Sequence, residues 1–181
     1  MKALKFTIPA LVLSLAAAGC ILVSGQFLID VSLDNFTTTS QTAVTRQDVD
    51  LNTESDYVDH KDELKSIADI AVLGKITNNG SGPIGVEVWM TPGPTTFNTS
   101  TEVSNGATKL WGPLVVLPGA ANAKTIDWNK SAALFTAAGK TMLLNEVKGD
   151  GQFTLYAIGN ETTYSVTVEN GVLALVLEFA K

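Results

Sequence analysis

YSVTVENGVLALVLEF, residues 164–179, decides the fold class. Two β-rich runs flank Asn170-Gly171. Both central positions of a type I′ turn need positive φ, and Asn-Gly supplies that at least steric cost, so a tight hairpin is expected here. The run after it, GVLALVLEFA, is apolar at successive positions. A strand with no polar face is buried on both sides, which places it centrally in its sheet.

Outward from this stretch the β pattern repeats. In FLIDVSL, Phe27, Ile29, Val31 and Leu33 alternate with Asp30 and Ser32, the period of a half-buried strand. ADIAVLGKIT, residues 68–77, reads as a second strand and IGVEVWMT, residues 84–91, as a third, with NNGSGP between them suited to a hairpin. KLWGPLVVLP and AKTIDW follow, separated by the turn Pro118-Gly119, and GQFTLYAIG precedes the last pair. Two helices interrupt the strands. In DYVDHKDELKSI, residues 56–67, Tyr57 and Leu64 share a face with Ala68 just beyond it. In residues 129–149, Leu134, Ala138 and Met142 form a stripe that Gly149 ends. Residues 91–109 are rich in Pro, Gly, Ser and Thr and read as an exposed loop.

KITNNGSGPIGVEVWM, residues 75–90, resembles the paired-strand segment of late-embryogenesis-abundant type 2 domains, with a polar Asn-rich turn before a Pro-hydrophobic strand. The expected fold is mainly β: a single immunoglobulin-like antiparallel β-sandwich of about nine strands with two short helices.

MKALKFTIPALVLSLAAAGC, residues 1–20, opens with Lys2 and Lys5, continues apolar and ends on small residues, the layout of a secretory signal peptide. Ala17-Ala18-Gly19 directly precedes Cys20, the chain's single cysteine. This resembles the bacterial lipobox, which implies cleavage before Cys20 and acylation of it. Two other readings stay open. The uncharged run from Phe6 to Ile29 is long enough to span a bilayer as an uncleaved anchor. Ala16-Ala17-Ala18 also fits a cleavage site that releases a soluble product. On the lipoprotein reading, residues 1–19 are signal, residues 20–26 are lipidated cysteine and tether, and residues 27–181 are the sandwich. Ile21 after the cysteine, where an Asp would retain the protein in an inner membrane, implies an outer-membrane or surface location. All three readings export the domain.

Composition narrows function further. The net charge of −6 argues against nucleic acid, because phosphate binding needs clustered Lys and Arg. One cysteine excludes an intramolecular disulfide and thiolate metal clusters. DVDLNTESDYVDH, residues 48–60, places Asp48, Asp50, Asn52, Glu54, Asp56 and Asp59 at EF-hand-like spacing, a calcium candidate. Thr53 stands where that loop needs Gly, and Asp59 where it needs Glu. A simpler reading has Val49 and Leu51 facing inward on a strand, with Thr53 or Ser55 capping an acidic helix start.

His60 is the single histidine, so a zinc site or a serine triad would have to be built on it alone; it reads as an exposed residue on a polar helix face. Gly139-Lys140-Thr141 lacks the P-loop's first glycine. Trp89 lies on the Glu87 side of its strand, opposite Val86, Val88 and Met90, facing solvent or a second layer; Trp111 and Trp128 read as core. Trp89, Thr95, Phe97 and Asn98 are the expected contact surface, since polar loops on rigid sandwiches carry recognition.

The functional expectation is a non-catalytic binding or assembly module without a cofactor. Acyl chains on Cys20 hold it to an envelope membrane, and its partner is an envelope protein or a glycan. The rival is a carrier of an apolar ligand between the sheets or under the second helix. A third reading is an envelope hydrolase.

Overall fold

Alternation along FLIDVSL is realised as written: Ile29 is buried, Phe27, Val31 and Leu33 are half-buried on the same face, and Leu28, Asp30 and Ser32 are exposed. The computed structural model describes residues 24–40 and 44–180. The lipobox-like segment and Cys20 lie outside the described residues. The strands are β1 (Ser24–Leu33), β2 (Phe36–Thr39), β3 (Thr45–Asp50), β4 (Leu64–Asn78) and β5 (Ile84–Pro92). They continue with β6 (Thr108–Val116), β7 (Lys124–Ile126), β8 (Gln152–Gly159) and β9 (Ser165–Ala180).

One sheet runs β1-β9-β4-β7, with β2 also paired to β9, and the other runs β3-β8-β5-β6. All pairings are antiparallel. The mainly β sandwich of nine strands is therefore as expected. Its connectivity is finer than the immunoglobulin-like resemblance: β1 pairs β9, β3 pairs β8, β4 pairs β7 and β5 pairs β6, a nested order rolled into two sheets. This is the jelly-roll arrangement. As expected, β9 is central, flanked by β1 and β4.

Asn170-Gly171 is not a hairpin. β9 continues through it, and only Asn170 takes positive φ, at 52°. The register against β4 shifts here, between Leu73 and Lys75. Positive φ serves a bulge as well as a turn, and β4 pairs on both sides of Asn170, Lys75 with Glu169 and Leu73 with Val172. Gly74 faces the bulge at φ 139°, where an added Cβ would lie 3.2 Å from the carbonyl oxygens of Glu169 and Asn170. On the other side β1 ends at Leu33 and β2 begins at Phe36, and Asn35 Oδ1 accepts a bond from the Asn170 amide at 2.7 Å. One line of irregularity thus crosses three neighbouring strands.

NNGSGP does not close a hairpin either, since it carries the chain from β4 in one sheet to β5 in the other. Buried Asn78 organises the crossing: its amide donates to the carbonyls of Gly82 and Val116, and its Oδ1 accepts from the Gly80 amide.

Among the described residues four α-helices stand where two were expected. α1 (Ser55–His60) gives way to a single 3-10 turn, and Leu64 then begins β4 opposite Phe179. Tyr57 is buried as read, but Leu64 and Ala68 belong to a strand. Strand pairing with β9 overrides the local helical pattern. Residues 91–109 contain α2 (Ser100–Gly106), closed by a Thr99–Glu102 capping box and burying Val103.

The long helix divides into α3 (Trp128–Ala132) and α4 (Ala137–Lys148). Phe135 bridges to Trp111 between them, and Thr136 caps α4 by accepting from the Gly139 amide. The buried stripe is Gly139, Leu143 and Val147, not Leu134, Ala138 and Met142. Gly139 sits there because a Cβ would approach the Leu110 Cα to 2.5 Å, which makes it a packing glycine rather than a phosphate-loop one. Among the described residues no helix is long and apolar enough to cross a membrane.

Candidate functional site

The six calcium candidates do not converge. Asp48 and Asp50 lie on the outward face of β3, while Asp56 and Asp59 lie on α1. Neither Thr53 nor Ser55 caps α1; Asp50 instead caps a 3-10 turn at Leu51–Thr53, accepting from the Asn52 amide at 3.0 Å. The Asn52 side chain also donates to it at 2.7 Å, and these bonds hold the Asp50 carboxyl below its ordinary range. Asp48 accepts from the Thr154 hydroxyl at 2.7 Å. Glu54 precedes α1 without a side-chain capping bond. Among the described residues no group of three or more His, Cys, Asp and Glu could hold a metal ion. Val49 and Leu51 are buried, as the simpler reading required, although Leu51 begins the 3-10 turn and is not on the strand.

His60 is not on an open polar face. Its ring stacks on Phe179 at 4.1 Å and lies 5.6 Å from Phe27. Trp111 is core, whereas Trp128 is only half-buried and donates its indole N–H to Asp69 at 2.6 Å.

The expected contact surface divides into two roles. Trp89 faces the second layer that its strand parity allowed. Its indole donates to Glu87 Oε2 at 2.9 Å, and the Lys109 ammonium binds Glu87 Oε1 at 2.6 Å while lying 5.0 Å from the Trp89 ring centroid. Glu87 is 6% exposed, so this pairing supplies the partners its buried charge demands. Phe97 packs on Tyr156 at 5.6 Å, and the Thr95 carbonyl accepts from both Tyr156 and Arg46. Thr95 and Phe97 therefore fasten the loop to the outer face of the β8-containing sheet, where Val44, Val103, Tyr156 and Ile158 form a second hydrophobic cluster. Trp89 and Asn98 are brought together in a groove of about 490 Å³, edged by Ser100, Thr101, Asn160 and Tyr164.

A second concavity lies between the sheets and measures about 240 Å³. Its cause is visible in β8. The inward positions Phe153, Leu155, Ala157 and Gly159 shrink along the strand, and the methyl group of Ala157 leaves space that Leu or Phe would fill. Opposite it, the line of irregularity through Gly171 bends the other sheet, since bulges bend and twist the strands that carry them. Interiors rarely keep voids much larger than a water molecule.

No protein-family model matches the chain, and no curated protein matches it. Among solved structures, it is similar to a chain from desmodium yellow mottle tymovirus. The identity is 11%, the TM-score is 0.38, and 99% of this chain and 95% of that chain are covered. It is also similar to a chain from mud crab tombus-like virus, with 7% identity, a TM-score of 0.40, and coverage of 100% and 87%.

Trp89 was legible from strand parity, but its partner Lys109 was not, because that contact crosses from β5 to β6. The walls of the inter-sheet cavity were not singled out in the sequence. Their one local signal is the falling side-chain size from Phe153 to Gly159, and it becomes readable only once the inward face of β8 is known.

Proposed function

We propose that this protein is an exported, lipid-anchored module of the bacterial cell envelope that works by binding rather than by catalysis, with a glycan as its partner. The observation that carries the binding reading is the groove over Trp89. An aromatic ring, the Asn98 and Asn160 amides and the Ser100, Thr101 and Tyr164 hydroxyls surround one open space on a rigid sheet. Sugars present apolar ring faces and hydroxyl edges, and such a set of groups meets both. The acid in the groove wall, Glu87, is held by Lys109 and Trp89, which suits a structural role better than proton transfer.

Anchoring is supported by the small-residue run before Cys20 and by Ile21 after it. β1 begins at Ser24, so an acylated Cys20 would hold the sandwich close to the bilayer.

Two measurements test the two halves separately. Intact mass of the membrane-extracted protein should match a chain starting at Cys20 with acyl groups; a mass retaining Met1 overturns the lipid anchor in favour of an uncleaved one. Titration with oligosaccharides from envelope glycans should shift the Trp89 indole resonance saturably. Asn98→Ala should weaken that binding roughly tenfold, the loss of one well-made hydrogen bond. An indole resonance that does not respond to any envelope glycan overturns the binding site.

A further inference from the structure

We propose that the cavity between the two sheets is a binding site for a small neutral amphiphile, an aliphatic compound with an alcohol-like or amide-like head. This goes beyond the outer groove and does not rest on it. Three observations support it.

The first is that the interior is left unfilled around one set of paired residues. Thr45, Ala157 and Val88 are successive partners across β3, β8 and β5 and face inward, yet all three keep partial exposure. Two inward positions further along, Val49 and Phe153 are buried. The second is the chemistry of the walls. Val72, Ile76, Val86 and Ile126 supply aliphatic surface. Trp111 adds its ring but makes no polar demand on the cavity, because its indole N–H already donates to the carbonyl and hydroxyl of Ser131, each at 3.1 Å. A cavity of ~150 Å³ takes benzene, so 240 Å³ has room for about ten non-hydrogen atoms.

The third is the rim. Apart from Trp111 and Tyr156, whose N–H and O–H are already bonded, the polar side chains of the lining are Asp34, Thr45, Arg46 and Gln47, from the β1–β2 link and β3. Thr45 and Gln47 lie on the inward face of β3 and bring a hydroxyl and an amide to a ligand head. Arg46 points to the other face, where its guanidinium binds the Thr95 carbonyl and the Thr96 hydroxyl and lies 3.9 Å from Asp48. It is already engaged there, and Asp34 places a negative charge at the rim. A carboxylate head therefore meets repulsion without a committed cation, whereas a neutral head does not.

The test is methyl NMR of the full-length protein in phospholipid nanodiscs, with Ala and Val methyl groups labelled, titrated with octanol and then with octanoate. Octanol should shift the Val88 and Ala157 methyl resonances saturably, and octanoate should bind at least tenfold more weakly. Ala157→Leu fills the space and should abolish octanol binding while leaving the melting temperature unchanged or higher. Ala157→Val, a smaller insertion, should weaken it and serves if the leucine variant fails to fold. Thr45→Val should weaken octanol binding severalfold. Trp89→Phe should leave it unaltered, which separates this site from the groove. Absence of a saturable shift in the wild type overturns the proposal, as does octanol binding that survives in a folded Ala157→Leu protein. Equal affinity for octanoate overturns the neutral head.

Discussion

Phe153 lies in a cluster with Leu51, Tyr57 and Leu177, none of them more than 1% exposed, whereas Ala157, on the same face of the same strand, looks into a cavity of about 240 Å³. The two halves of one interior are built differently. The packed half is closed by α1 and α4: Tyr57 donates to the Val147 carbonyl at 2.9 Å, and Gly151 at φ 77° leaves room for the Tyr57 ring. The hollow half is bounded by bulged strands and small residues. Tight packing in one place lets the chain tolerate a void in the other, because stability is a property of the whole domain and space for a ligand is local.

The comparison breaks first if truncations cost the same in both halves. Leu51→Ala or Leu177→Ala should lose about 2–5 kcal/mol in denaturant unfolding, because each leaves a new void in a dry cluster. Val88→Ala, at the cavity wall, should lose roughly 1 kcal/mol, since part of its surface already faces empty space.

Ser131 probes the seam between the sheets. Its buried hydroxyl accepts from the Val72 amide of one sheet at 2.6 Å and from the Trp111 indole of the other at 3.1 Å. Ser131→Ala strands the Val72 donor and should cost about 1–3 kcal/mol, read from the same unfolding curves. Insertion sharpens the contrast. Ala71 is fully buried, so Ala71→Leu should destabilise by about 1–3 kcal/mol. The same change at Ala157 should not.

The smallest effects lie at the periphery. Thr99→Ala removes the α2 cap and should cost about 1 kcal/mol, most visibly as faster exchange of the Glu102 amide. Glu102 accepts from the Asn98 and Thr99 amides, which lower its pKa below 4.5; Asp127 is lowered below 3.8 by the Lys130 amide. A carboxyl with a depressed folded-state pKa contributes its stability above the unfolded-state value and loses it as pH falls through the folded-state value. α2 and α3 should therefore loosen below about pH 4 while the sheets remain, measurable as amide exchange across an acid series. Uniform loss of protection would contradict this.

The strands were legible because side-chain order is local: β1, β5 and the β character of both halves of β9 follow from it, though not the continuity of β9 through Asn170. What escaped was whatever depends on a partner distant in sequence. Asn170-Gly171 carries the same dipeptide whether the chain reverses or bulges, and the presence of β4 on both sides of it decides. Leu64 fits a helical face, but Phe179 opposite makes it a strand residue. The stripe on α4 was placed one residue early because the break at Phe135 is set by a bridge to Trp111. Of the contact surface, the orientation of Trp89 followed from parity, while the use of Phe97 and Thr95 as fastenings required Tyr156 to be in place.

The nested pairing has a consequence for timing. Ser24 is opposite Ala180, and β1 and β4 both ladder onto β9. The first sheet cannot be completed until β9 is available, so β1 and β2 must wait for a strand more than a hundred residues later before they find a partner, and such long-range pairing slows folding. A chain crossing a membrane with its N-terminus leading would emerge with β1 and β2 unpaired, and with β4 held only along its short pairing with β7, until β9 follows. For this domain, a shortened product is not a smaller sandwich but two open edges looking for any strand at all.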